Sequence, residues 1–204
     1  MNAMRKGSKQ LFLFVTCVSL LSFTLIGCGG GGGGSDSSGA SNDTGFQYAT
    51  YQDTDADGDP TDNFSVDYPK SWTSMADPDL GVPGVLWASV DENALGFQTN
   101  ANVVLERTSL SFSEYKQATL DNLPALVPGF SLQSSRSLVT TTGIQAYVMI
   151  YDELSSGTLL RVEQSMYYDD LNAEVFILTL GAQRSSFSSY AEAFDYMVSS
   201  FELR

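Results

Sequence analysis

The sequence predicts an α+β domain, an antiparallel β-sheet flanked by helices. Three observations point there. Residues 143–151, 159–168 and 174–180 are rich in β-branched and aromatic side chains and are separated by segments short enough for hairpins. A helix-start signature precedes them, and a segment with one apolar stripe at helical spacing follows. Strands grouped apart from helices fit an antiparallel sheet with helices packed on it.

In chain order, Phe64, Val66 and Tyr68 alternate with polar residues and stop at Pro69, which reads as a strand. Residues 85–90 and 102–108 are further short strands. Ser111 can cap a helix, Glu114 stands three residues on to complete a capping box, and Leu110 can staple onto Tyr115. That helix is expected to end before Pro124, whose ring removes a donor and restricts Leu123. The three strong strands then form a meander, turning at Ser155-Ser156-Gly157 and at residues 169–172. Tyr190, Phe194, Met197, Val198 and Phe201 recur at three- and four-residue spacing, so a closing helix should lay them on the sheet. No internal repeat is visible.

The N-terminus has the parts of an export signal. Arg5, Lys6 and Lys9 precede a mostly apolar stretch, residues 11–26, which ends at small Gly27. The stretch is shorter than the about 20 residues a membrane span needs. Leu25-Ile26-Gly27-Cys28 resembles the lipobox of bacterial lipoproteins, so residues 1–27 are expected to be a signal peptide and Cys28 the lipidated residue. The resemblance implies acyl chains on Cys28, palmitate among them, that anchor the protein to a membrane. Gly29, where an Asp would favour inner-membrane retention in Gram-negative lipoproteins, favours the outer membrane, on its periplasmic or surface face. Residues 28–47 then form a tether. From Gly29 to Gly45 they are Gly, Ser, Asp, Asn, Ala and Thr, a composition that cannot bury enough apolar surface to order itself.

Composition excludes several chemistries. There is no histidine, so Ser-His-Asp catalysis and His-ligated metal sites are ruled out. Of two cysteines, Cys17 lies inside the signal and Cys28 is the lipid site, which leaves no pair for a disulfide. The formal charge is −14, and loss of Arg5, Lys6 and Lys9 with the signal makes it −17. Such a surface repels phosphate backbones, which argues against nucleic acid as a partner.

The strand ending Tyr68-Pro69, the nearby Trp72, the segment 111–123 and the Phe194 to Phe201 ending together resemble the Mog1/PsbP-like superfamily. The resemblance covers residues 48–204, expected to be one PsbP-like globular domain with the Asp-rich segment 53–62 at its start. It implies an α/β/α sandwich, an antiparallel sheet between helices, and action by binding rather than catalysis. No functional residue of the superfamily has a recognisable counterpart here.

Asp53, Asp55, Asp57, Asp59 and Asp62, with Gly58, are the one chemically pointed cluster. Carboxylates at alternate positions followed by glycine resemble the opening of a calcium loop. Phe64 stands where a bidentate Glu would be expected and Pro60 interrupts the run, so an acidic solvated linker before the first strand is the better fit. Calcium is the only cofactor with any support, and no catalytic residue is assigned.

Trp72, Trp87 and Phe97 could line an apolar pocket, but aromatics in such a domain more often fill the core. Asp152-Glu153 and Asp169-Asp170 are adjacent carboxylates of the type glycosidases use, yet neighbours on a strand diverge and Asp is a common turn residue. Hairpin ends are therefore expected for both pairs. Arg161 and Glu163 share one strand face, with Glu106 and Arg107 on another strand. They are expected to make cross-strand contacts on an exposed sheet margin, or else a polar patch for a partner.

The sequence is read as a non-catalytic cell-envelope lipoprotein that binds an envelope protein or serves as an accessory subunit. A small-ligand or lipid-binding lipoprotein is the alternative, and a carboxylate-dependent envelope hydrolase the least favoured.

Overall fold

A computed structural model describes residues 45–53, 63–76, 80, 84–94, 96–140 and 142–204. Ten strands and two helices follow one another among them. The first group is β1 (Tyr48–Gln52), β2 (Phe64–Pro69), β3 (Thr73–Ala76), β4 (Val85–Val90) and β5 (Asn100–Arg107). Then come α1 (Phe112–Leu126), β6 (Ser131–Val139), β7 (Gln145–Ser155), β8 (Thr158–Asp169), β9 (Glu174–Gln183), α2 (Phe187–Ser200) and β10 (Glu202–Leu203).

The strands make two sheets. The larger has seven strands in the order β3-β4-β5-β9-β8-β7-β6, and the smaller has three in the order β1-β2-β10. All pairings are antiparallel. The expected meander is present and longer than the apolar runs suggested, because β7, β8 and β9 pair over nearly their whole lengths. Ser156 and Gly157 link β7 to β8, both with positive φ, 50° and 82°. That is the geometry of a two-residue type I′ turn, whose twist matches the strands it joins.

One face of the large sheet is covered by α2 together with the small sheet, the other by α1. The layering is thus sheet-dominated, with a single helix on each face. On the α2 side, Phe194 and Phe201 are fully buried, as the apolar stripe required. Phe201 lies just beyond the helix as an extended cap residue, where it stacks on Tyr167 at 4.1 Å and Phe64 at 5.4 Å between ring centroids. The helix stops there because the chain turns into β10, which pairs with β2.

On the other side α1 begins at Ser111 with the capping box in place: the Ser111 hydroxyl accepts from the Glu114 N–H, and the Glu114 carboxylate accepts from the Ser111 N–H. Pro124 falls inside the helix, not beyond its end. The bond that proline cannot donate is lost, but the final turn is kept by the Val127 N–H donating to the Leu123 carbonyl at 2.9 Å. Leu123 and Val127 are both buried against the sheet, so packing outweighs the missing bond.

Four strands had no sequence signal: β1, β3, β6 and β10. β3, of four residues, and β10, of two, are short additions to stronger neighbours, and β6 is exposed along almost its whole length. β1 also changes the setting of the Asp-rich segment. The Asp53 N–H donates to the Phe64 carbonyl at 2.9 Å, which closes the β1–β2 hairpin, so the segment connects two strands instead of preceding the first.

Candidate functional site

The polar side chains of the sheet sort by face because successive residues of a strand point to opposite sides. On the α2 face, Arg161 of β8 stands directly across from Asp152 of β7 and makes two bonds to its carboxylate, at 2.7 and 3.2 Å. Arg184, just past β9, adds a third contact to Asp152 at 3.4 Å. Two residues further along β8, Glu163 meets Arg136 of β6 at 3.4 Å, and the same guanidinium nitrogen holds Asp195 of α2 at 2.7 Å. Arg107 and Glu174, opposite each other on β5 and β9, pair at 2.9 Å. These contacts tie β6, β7 and β8 to one another and to α2, and β5 to β9.

Glu163 is 1% exposed. Burial, with the nearby Asp195 charge, pushes its carboxyl up to about 7 despite the opposing pull of Arg136.

The α1 face carries polar groups of another kind. Glu153 is 2% exposed, and neither of its carboxylate oxygens has a hydrogen-bond partner among the described residues. Burial alone pushes it up to about 7. Asn102, Thr179 and Gln164 occupy neighbouring register positions on β5, β9 and β8, and all are buried. The Gln164 amide donates to the Thr179 hydroxyl at 3.3 Å, while the amide oxygens of Asn102 and Gln164 have no partner among the described residues. Near the sheet's end the buried Tyr115 hydroxyl of α1 donates to Glu106 at 2.6 Å.

Two expectations are corrected here. Asp152-Glu153 lies inside β7 and is buried, not at a hairpin end, because the turn falls later, at Ser156-Gly157. Arg161 and Glu163 lie on an interior strand, not on an exposed margin, since β7 and β6 extend the sheet beyond them. Glu163 was hard to place because its partner Arg136 is remote in sequence and itself shared with Asp195; for Asp152 and Arg161 the one available signal was their placement symmetrically about a Ser-Gly turn. Asp169 does end its strand, where its carboxylate accepts from the Leu171 N–H at 2.9 Å, and Asp170 follows in the turn.

Trp87 is fully buried with its indole N–H on the Ser74 hydroxyl at 2.8 Å, Trp72 is buried against Phe194, and Phe97 packs on the α1-side core. The two tryptophans fill the core and Phe97 packs half-buried against it. Asp53 is described, but Asp55, Asp57, Asp59, Asp62 and the lipid-site residue Cys28 lie outside the described residues. No group of three or more metal-ligating side chains gathers among the described residues.

A remaining feature is the edge of the large sheet. Among the described residues β6 pairs with β7 on one side only, so its other side presents backbone groups unpaired by any of them. Its nine residues are Ser-Leu-Gln-Ser-Ser-Arg-Ser-Leu-Val, nearly all exposed.

A long antiparallel sheet with one helix on each face and a small sheet beside the C-terminal helix defines the Mog1/PsbP-like fold, and solved structures bear this out. The cyanobacterial PsbP (CyanoP) of Synechocystis superposes with a TM-score of 0.55 at 16% identity, covering 81% of this chain and 98% of that one. LpqN, involved in cell envelope biogenesis of Mycobacterium tuberculosis, gives 0.58 at 15%, covering 76% and 91%. The Saccharomyces cerevisiae Ran-binding protein Mog1p gives 0.54 at 11%, covering 78% and 96%. Identities this low establish a shared fold and leave activity open. No protein-family model matches the sequence, and no curated protein matches it significantly.

Proposed function

We propose that this chain is a non-catalytic accessory protein of a bacterial cell envelope, held at a membrane through lipid on Cys28 and acting by binding another protein. One observation carries the non-catalytic part. Glu153 and Glu163, the two carboxyls that burial brings to about 7, sit on opposite faces of the seven-stranded sheet. A carboxylate pair for hydrolysis must converge across one cleft, about 5–10 Å apart. The sheet itself keeps these two from doing so.

The Arg161–Asp152 and Arg107–Glu174 pairs are engaged in holding strands together. The likeness to an envelope-biogenesis protein and to a Ran-binding protein supports a binding role. Among the described residues no helix is long and apolar enough to cross a membrane, so anchoring rests on the lipobox. Gly29 after the lipid site favours the outer membrane.

The test is affinity purification of the full chain from solubilised bacterial envelopes, beside Cys28→Ser. The wild type should fractionate with membranes, incorporate labelled palmitate and recover a specific envelope protein. Cys28→Ser should lose the label and the membrane association, because a hydroxyl does not replace the thiol in lipid transfer. A variant that stays membrane-bound and labelled would defeat the anchoring part. Purification that recovers nothing above control would defeat the partner part.

A further inference from the structure

We infer that the β6 edge is a self-association surface, where β6 of one molecule pairs antiparallel with β6 of a second copy about a two-fold axis. The inference does not depend on the envelope reading. It starts from an edge that lacks the usual protection. Sheet edges are commonly kept from pairing by shortness, proline, lysine or inward charges. At the far edge of the same sheet, β3 is only four residues long. β6 is nine residues long, about 30 Å of strand, and contains no proline, lysine or acid. Its one irregularity is a bulge between Leu132 and Ser134, which leaves Ser134 to Val139 in regular register.

Charge selects the occupant. The chain carries 24 acidic residues, yet none lies between Asp121 and Asp152, the stretch that builds the end of α1, β6 and most of β7. Two molecules this acidic repel each other over most of their surfaces. An acid-free edge is where they can meet with that repulsion least, their acidic regions directed apart. Arg136 is the only charge on β6, and it lies next to Ser135 at the middle of the strand. Asp195 and Glu163 already neutralise it from within its own molecule, so two copies of Arg136 beside the axis add little repulsion. For the same reason Arg136 offers little to draw in an acidic foreign peptide.

Apolar surface lies at the same end of the molecule. Leu126, Leu132, Leu154 and Leu159 are all exposed. Leu132 is in register with Tyr151, Leu154 with Leu159, and the Leu154 N–H donates to the Pro128 carbonyl in the α1–β6 connection. A second copy paired along β6 would cover part of this surface while satisfying the open backbone groups on both molecules.

Sedimentation velocity on the full chain tests the inference, with Ser135→Lys and Ser135→Glu compared to wild type over a range of concentrations. Ser135 is exposed in the monomer, so both variants should melt as wild type does. Near a two-fold axis each substitution faces its own copy, and like charges across a ladder disfavour pairing. The expected result is a concentration-dependent wild-type dimer and two monomeric variants. A wild type that stays monomeric throughout, or a dimer unmoved by either substitution, would overturn the inference. Variants that shift association in opposite directions would also overturn it, because residue 135 would then face a charged surface of the second copy and not its own equivalent.

Discussion

The two faces of the large sheet surround their buried carboxylates differently. On the α2 face, Asp152, Glu163 and Glu174 are each buried beside an arginine. On the α1 face, Glu153 is buried just as deeply, and only burial shapes its acidity. Asp152 and Glu153 are sequence neighbours, so this difference comes entirely from which side of β7 each side chain leaves. Composition is shared; environment is not. An arginine across the ladder lets a buried carboxylate tie strands together, whereas Glu153, packed without such a partner, resists ionisation; Glu163 does so too, because its Arg136 contact is long and shared with Asp195.

The comparison breaks first where the α2 face depends on shape. Phe194→Ala should cost about 3–5 kcal/mol, because a fully buried ring stacked among Trp72, Phe187 and Tyr190 leaves a cavity that cannot close. Chemical denaturation would show it as a large drop in midpoint, and a wild-type midpoint would mean that α2 does not anchor this face.

Removing the cation from the paired side comes next. Arg161→Met should cost up to about 3 kcal/mol, since it strips the two-bond partner from buried Asp152 and leaves only Arg184 at 3.4 Å. Adding Asp152→Asn should recover part of that loss, because the stranded charge is then gone. A double variant no better than the single would show that packing, not charge, accounts for the effect.

Glu153 sharpens the contrast through pH. Burial pushes its carboxyl up to about 7 in the folded state from the ordinary 4.5. Below the ordinary value both folded and unfolded states hold the proton, and stability is unaffected. As pH climbs from about 4.5 to 7 the unfolded chain releases it first, so the folded state loses stability, by about 3 kcal/mol in all. Glu153→Gln should therefore leave stability at pH 4 unchanged and raise it at pH 8. Equal effects at both values would mean the carboxyl finds a partner in the folded state. Glu163 adds a loss of the same sign over the same range, so wild-type stability should decline from acid to neutral pH.

The smallest expected effect lies outside both faces, at the β1–β2 connection. If Asp53 to Asp62 is a solvated acidic segment, millimolar calcium should leave the melting temperature where magnesium leaves it. A rise that grows with calcium concentration and exceeds that with magnesium would restore the calcium loop.

How far these contrasts were legible beforehand depends on how local their causes are. The meander of β7, β8 and β9, the capping box at Ser111 and the stripe through Phe194 rest on neighbours within a few residues, so they can be read directly. β6 cannot, because a strand exposed on both faces has no alternation to reveal it. Pro124 misled for a related reason: its local cost is real, but the burial that offsets it involves β-strand residues far along the chain.

By itself the sequence determined an α+β chain with no histidine chemistry, a strongly acidic charge, an N-terminal segment resembling a lipoprotein signal, and aromatic residues destined for a core. Tertiary structure decided which carboxylates are paired, which are isolated, and which edge stays open. Those outcomes depend on strand register and sheet order, where a shift of one residue sends every side chain to the other face. Register emerges from the whole sheet closing at once, so Asp152 gained an arginine and Glu153 did not.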